Sequence, residues 1–330
     1  MLSRQEIEGM FAVDVTQPEF INFKPISRVT KNRAIQNREI STKKSFQKQT
    51  LTMIAEQEGS PSFEIIDSLV KKLRGAKVIP MLSGIGVEMG SGLGLLSASL
   101  INQDKENAIK GILTIEASLP FVEEGIRKAA GLVLGNNAFR IMPCYGSFDS
   151  IAIESNSIDF IIQIESIHHA ENLLPPLVEG YRILKSGGHF ISIDRSWPNQ
   201  VKRSVLTELL DHEYSKEWLD LKGFPSDLPF SRRDNGEHEY LDLDWENSFK
   251  QAGFKNIVIR HLHPKIGIKQ LAKRMVCFFR FNHIFKIKVP SRTGIFRGFI
   301  ESNFRLKLFG IKTIMVVDHP RPLTLSVWQK

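Results

Sequence analysis

Cysteine is nearly absent. Cys144 and Cys277 are too few and too far apart for a disulfide framework or a cysteine-built metal site. Long apolar runs are missing too. None approaches the roughly 20 residues of a membrane-spanning helix. The opening stretch, MLSRQEIEGM, has no apolar signal segment, so a cytoplasmic protein is expected. No internal repeat or long low-complexity tract is visible. What is present suffices for a sizeable core: 42% hydrophobic and 24% charged residues argue against wholesale disorder. The length allows one large domain with additions, or two domains.

The most informative stretch is Val87-Glu88-Met89-Gly90-Ser91-Gly92-Leu93-Gly94. It reads as the end of a buried strand, a glycine-rich turn, and a helix starting near Leu95. Glycines at alternate positions let the backbone turn tightly and approach a ligand. The N–H groups of the helix start favour an anionic ligand group. Glu88 disfavours phosphate and suits a cationic or hydroxylated ligand. Leu95 stands where a dinucleotide fingerprint needs its third glycine, so this is not G-x-G-x-x-G. A glycine triplet alone is equally an ordinary strand–helix turn.

An ordered series follows. Leu95–Ile101 reads as a helix, Gly111–Glu116 as a buried strand ending in an acid 22 positions beyond Gly94, and Pro120–Leu134 as a helix. An acid in that position can accept hydrogen bonds from ribose hydroxyls. Strands are predicted near Phe139–Pro143, at Phe160–Glu165 and at His189–Asp194. Between the last two lie Ser166-Ile167-His168-His169, a helix over Pro175–Leu184 and a Lys185-Ser186-Gly187-Gly188 turn. A last helix is predicted at Asp244–Ala252 and a strand at Asn256–Arg260. Strand and helix alternating across short turns imply a parallel sheet covered on both faces.

Together these motifs resemble the class I S-adenosylmethionine (SAM)-dependent methyltransferases, in the small-molecule, methyltransferase type 11-like branch. The resemblance spans roughly residues 80–200, plus the last helix and strand. It implies a Rossmann-like, doubly wound, mostly parallel seven-stranded α/β sheet, with an N-terminal helical cap and basic C-terminal additions. It implies SAM as cofactor, bound by Glu88, Gly90, Ser91, Gly92, Gly94, Glu116, Ala117, Ser147, Phe148, Gln163 and Ile164. Two positions depart from the branch. Ser147 stands where an Asp usually bonds the adenine amine, which puts cofactor affinity in question, because a hydroxyl carries no charge. Ser186 replaces the usual Pro of the turn. The expected organisation is a 1–75 extension with cap helices, a 76–263 core with a lid insertion at about 199–242, and a 264–330 basic region returning to the sheet.

Charge is unevenly spread. Residues 22–49 hold eight Lys/Arg and one Glu, and residues 264–312 hold twelve and one. The whole chain is +8, so the remainder is −10. The later stretch interleaves Phe with its charges, as in Cys277-Phe278-Phe279-Arg280-Phe281. Such a segment can form its own core under a solvated face, lie on an anionic membrane, or bind single-stranded nucleic acid. Residues 1–50 show no clear period, whereas Phe63–Leu73 has helical apolar spacing and a basic end suited to the helix dipole.

The polar stretch Asn199–Asp242 is dense in His, Glu and Asp, yet matches no firm metal-ligand spacing. A solvated helix and an exposed loop are expected, so no metal is assigned. As a lid it would orient a polar acceptor and exclude water. A sulfonium carries its own activation, so positioning supplies much of the rate. A base is needed only where the acceptor loses a proton. His168 and His169, just beyond the fourth strand, are the candidates, with Glu165 beside them. A paired histidine there also serves to satisfy local backbone groups. The function expected is methyl transfer to a small or lipid-linked metabolite, at oxygen. The alternatives are an RNA methyltransferase and a non-catalytic SAM-fold protein. Oligomeric state is not readable from the chain.

Overall fold

The computed structural model describes residues 1–12, 16–23, 63–216, 219, 229–264, 313–316 and 323–330. Chain order begins α1 (Arg4–Met10), β1 (Ile21–Asn22), α2 (Phe63–Gly75), β2 (Gly84–Met89) and α3 (Leu95–Asn102). It continues through β3 (Ile109–Glu116), α4 (Ile126–Leu134), β4 (Ile141–Tyr145), β5 (Ile158–Ile164) and α5 (Leu174–Ile183). Last come β6 (Leu184–Arg195), α6 (Arg203–Leu210), α7 (Asp242–Gln251), β7 (Lys255–Pro264), β8 (Thr313–Val316) and β9 (Leu323–Gln329).

The strands form one sheet of order β1-β4-β3-β2-β5-β6-β9-β7-β8. The seven-stranded core expected from the motif series is its middle, β4 to β7. Among the described residues, two short strands lengthen it to nine. β1 pairs with Cys144 and Tyr145 at one edge, and β8 pairs with β7 at the other. Only β9 runs antiparallel, slotted between β6 and β7. The central strands are apolar along their length, as burial on both faces requires. On one face α2, α3 and α4 supply Leu69, Leu73, Leu96 and Ile126 against Phe160, Ile162 and Ile193. On the other, α5 and α7 place Leu177, Trp245 and Phe249 against Ile161, Phe190 and Trp328. The Phe249 and Trp328 rings stack with centroids 4.4 Å apart.

Three local expectations are revised. β6 starts at Leu184, directly from α5, so Lys185–Gly188 lies within the strand instead of forming a separate turn. The cause is pairing: Leu184 registers with Ile158, and Gly187 N and Gly188 O both bond Lys330. At the N-terminus, Ser3 and Glu6 form a capping box that starts α1, and Ile7 is fully buried. The third revision is the 231–240 stretch. It is no exposed loop: Glu237 and Glu239 are buried, for reasons given below. The basic segment 264–312, expected to meet membrane or acceptor, lies beyond Pro264 outside the described residues. So do residues 24–62 and the middle of the expected lid. No helix among the described residues is long and apolar enough to cross a membrane.

Candidate active site

The glycine turn sits at the carboxyl end of β2. Gly90, Gly92 and Gly94 have φ of 66°, 53° and 69°. These values favour glycine. Gly90 N and Ser91 N both donate to Ile115 O, at 2.9 and 3.0 Å, tying the turn to β3. A Cβ at Gly90 would lie 2.5 Å from Ser166 Cβ, so the turn touches the loop after β5. A Cβ at Gly92 would meet nothing within 4 Å. That position therefore faces open space.

Glu116, at the end of β3, accepts from Gly92 N at 2.8 Å and from Ser118 N at 2.9 Å. Its carboxylate stands beside the open face. Ser91 Oγ and Ser118 Oγ are buried with no hydrogen-bond partner. Buried polar groups are normally paired, so two orphan hydroxyls flanking an open glycine mark a place for a polar ligand. Ala117 is half-buried in the same turn.

Glu88 has another task. It is 1% exposed and accepts from Ser97 N at 3.2 Å and from Ser97 Oγ. Gly94, the N-cap of α3, has no side chain to cap with. Glu88 thus caps that helix from the neighbouring strand. Burial pushes its carboxyl up to about 8; the Ser97 bonds oppose this and Glu116 adds to it. The folded state holds this proton while the unfolded chain has lost it. Stability is therefore greatest below the ordinary carboxyl range and falls as pH rises from about 4.5 towards 8. Glu88→Gln should flatten that decline. Denaturant midpoints at pH 5 and pH 8.5 measure it, and parallel profiles for wild type and variant would refute the assignment.

Ser147 is buried, and its Oγ donates to Asp149 Oδ1. An acid thus stands beside Ser147, two residues beyond the position where the branch carries one. Phe148 is half-buried, 3.6 Å from the Gly90 Cβ position. Ser147→Asp alone would set two carboxylates together and should weaken SAM binding. Ser147→Asp with Asp149→Ser should restore it, as calorimetric titration would show. Equal affinity in all three proteins would remove both residues from the site. Gln163 is fully buried: its Nε2 donates to Ser192 Oγ at 2.5 Å, and its Oε1 accepts from Ser166 N. It holds the loop in place. Ile164 packs on the apolar core.

Beyond β5 the chain enters a charged cluster. Glu165 has a φ of 46°, unusual for a non-glycine residue. A short helical turn, Ile167–His169, follows. His168 is 0% exposed; its Nδ1 lies 2.6 Å from Asp194 Oδ1 on β6. Its Nε2 has no hydrogen-bond partner and lies 3.6 Å from Glu237 Oε2. His169 Nδ1 lies 3.0 Å from Gly236 O, and the two imidazole centroids are 4.3 Å apart. Arg195 bonds Glu237 and reaches Glu165 at 3.3 Å. Arg232 reaches Glu237 at 3.3 Å and bonds Glu239, which also accepts from Trp197 Nε1 at 2.5 Å. Burial opposes both charges of the Arg195–Glu237 pair. Each nevertheless holds the other ionised, the guanidinium raised and the carboxyl lowered, the latter aided by the two histidines. This pairing pulls the 231–240 stretch inward and accounts for its burial.

Asp149, Asp194, Arg195, Arg232, Glu237 and Glu239 were not singled out from the chain. Asp149 was signalled by an acid two places after Ser147, and Asp194 by its place at the end of a predicted strand. Glu237 and Glu239 stood in a stretch whose charge density was assigned to solvent.

Residues 87–192 match the Methyltransf_11 model, described as a methyltransferase domain. Residues 87–192 therefore carry a methyltransferase domain. The protein is accordingly a SAM-dependent methyltransferase, and SAM is its cofactor. The open Gly92 face, the Glu116 carboxylate and the orphan hydroxyls fit that group. Among solved structures, geranyl diphosphate methyltransferase in complex with SAM aligns at TM-score 0.48 and 12% identity, covering 81% of this chain and 85% of that one. A SAM-dependent methyltransferase from Thermotoga maritima aligns at TM-score 0.43 and 15% identity, covering 81% and 90%. No curated protein matches the chain.

Proposed function

We propose that this methyltransferase moves the SAM methyl group to a hydroxyl oxygen of a small or lipid-linked metabolite. One observation carries the reading. Ser166 packs against Gly90 and donates its Oγ to Met89 O at 2.6 Å. The histidine turn is therefore locked to the cofactor turn, and His168 stands two residues from that joint. Glu116 and the glycine turn hold the cofactor, with Ser147, Asp149 and Phe148 as its further contacts. The sulfonium supplies the activated methyl group; the chain aligns the acceptor for in-line attack. An acceptor hydroxyl lying against His168, His169 and Glu165 loses its proton into that cluster. The surroundings are dry and densely hydrogen-bonded, which strengthens each electrostatic contact.

A neutral amine acceptor would need no such anchored imidazole, because its lone pair attacks directly and sheds its proton afterwards. The test is transfer of labelled methyl from SAM to fractionated metabolites, including the lipid fraction. An O-methyl product supports the reading, and an exclusively N-methyl product overturns it. A labelled RNA product would favour the nucleic-acid alternative, whose sequence support lies in basic stretches outside the described residues.

A further inference from the structure

We infer that His168, His169 and Glu237 form a binding site for a divalent transition-metal cation of the zinc class. The inference deepens the proposed function and rests on that reading only for the cation's role towards the acceptor. The site itself stands on four observations.

The first is geometry. Each of the three residues offers one ligand atom, and these atoms lie within 4.8 Å of one another. In a tetrahedral site, metal–ligand distances of about 2.0–2.2 Å put ligand atoms about 3.3–3.6 Å apart. The trio closes to that spacing by side-chain movements of about 1 Å. Two imidazoles and a carboxylate suit zinc or its neighbours better than calcium or magnesium, which prefer all-oxygen sets.

The second is the tautomer. His168 Nδ1 faces the Asp194 carboxylate and His169 Nδ1 faces the Gly236 carbonyl. Each acceptor calls for a proton on Nδ1. In the neutral imidazoles the lone pairs are then on Nε2. An oxygen acceptor behind a ligating histidine is the usual support of a metal site.

The third is an orphan. His168 Nε2 is buried, aimed at Glu237 Oε2 and without a hydrogen-bond partner. Leaving such a group unsatisfied is costly, and a cation shared by Nε2 and the Glu237 carboxylate satisfies it.

The fourth is charge. Asp194 and Glu237 face His168, and Glu165 and Glu239 stand behind them on Arg195 and Arg232. With neutral imidazoles the cluster carries two excess negative charges. A dication neutralises them, which burial demands. The two guanidinium groups on Glu237 Oε2 compete for that oxygen. One carboxylate oxygen can keep them while the other turns to the cation. Three protein ligands leave coordination positions open, as catalytic sites do. A cation there lowers the pKa of an oxygen ligand, which would make the acceptor hydroxyl a better nucleophile.

The competing arrangement has no metal: two imidazolium ions balance the carboxylates. Full-length protein, stripped with chelator, is titrated with Co²⁺ and Zn²⁺. The readouts are the visible ligand-field absorption of bound Co²⁺ and calorimetry. One equivalent is expected, at least tenfold weaker in His168→Ala and in Glu237→Gln. Asp194→Asn should weaken it about 10–100-fold. The exposed His212→Ala should bind as wild type. SAM titration of every sample reports folding; should His168→Ala fail it, His169→Gln replaces that variant. No Co²⁺ binding by protein that binds SAM overturns the inference. So does Co²⁺ binding unchanged by His168→Ala and Glu237→Gln, which would put the ion elsewhere. Site-specific Co²⁺ binding with no O-methyl product keeps the metal site and removes the oxygen reading.

Discussion

Gly92→Val is expected to abolish SAM binding while leaving the protein folded. Two effects combine. Gly92 holds a φ of 53°, a conformation that a β-branched residue adopts only under strain. Its missing side chain also faces open space where a Cβ would meet nothing within 4 Å, so an isopropyl group fills the volume the cofactor needs. Glu116→Ala removes the acceptor of Gly92 N and Ser118 N, and with it the ribose contacts proposed for that carboxylate. It should cost about 1–3 kcal/mol of SAM affinity. Calorimetric titration, with circular dichroism to verify folding, measures both. Wild-type affinity in a folded Gly92→Val protein would mean that SAM does not lie on this turn.

His168→Ala should lower kcat for methyl transfer by about 10²–10⁴-fold, the range for losing help in deprotonating the acceptor, whether the imidazole gives it directly or through the cation it would hold. SAM affinity should change little, since His168 contacts Asp194 and the Glu237 stretch instead of the glycine turn. Asp194→Asn is the finer probe. It keeps the shape but removes the charge that orients the imidazole, so kcat should fall and its pH profile should shift while SAM affinity holds. Unchanged kcat in both variants would remove the cluster from the chemistry. Loss of SAM binding together with kcat would make it a structural joint.

The fold was legible because its signals are local. Glycine spacing at Gly90–Gly94, apolar runs such as Ile112–Ile115 and Phe160–Ile162, and an acid closing a strand at Glu116 are each properties of a few consecutive residues. They depend on backbone sterics and burial, which act along the chain. The short strands β1 and β8 escaped because two or four residues at a sheet edge carry no period. β9 was anticipated only as a return to the sheet. Its place between β6 and β7 is set by pairing with both, with Phe190 and Trp328 in register.

The site divides along the same line. From sequence alone came the glycine turn, the acid that ends β3 and the histidine pair, all placed by strand ends. Tertiary structure decided what those residues touch. Glu88 reads as a ligand contact in the chain, yet it is spent on capping α3, because Gly94 cannot cap. Asp194 comes under His168 only because β5 and β6 are neighbours in the sheet. Glu237 and Glu239, more than 40 positions beyond Arg195 and Trp197, look like solvated charge until folding brings those partners to them. A charged residue's role is set by what neutralises it, and in this protein the neutralising groups are distant in the chain. Sequence therefore determined the scaffold and which strand ends carry the candidate residues. Which carboxylate serves which base was left to the packing of strands and the inward fold of the 231–240 stretch.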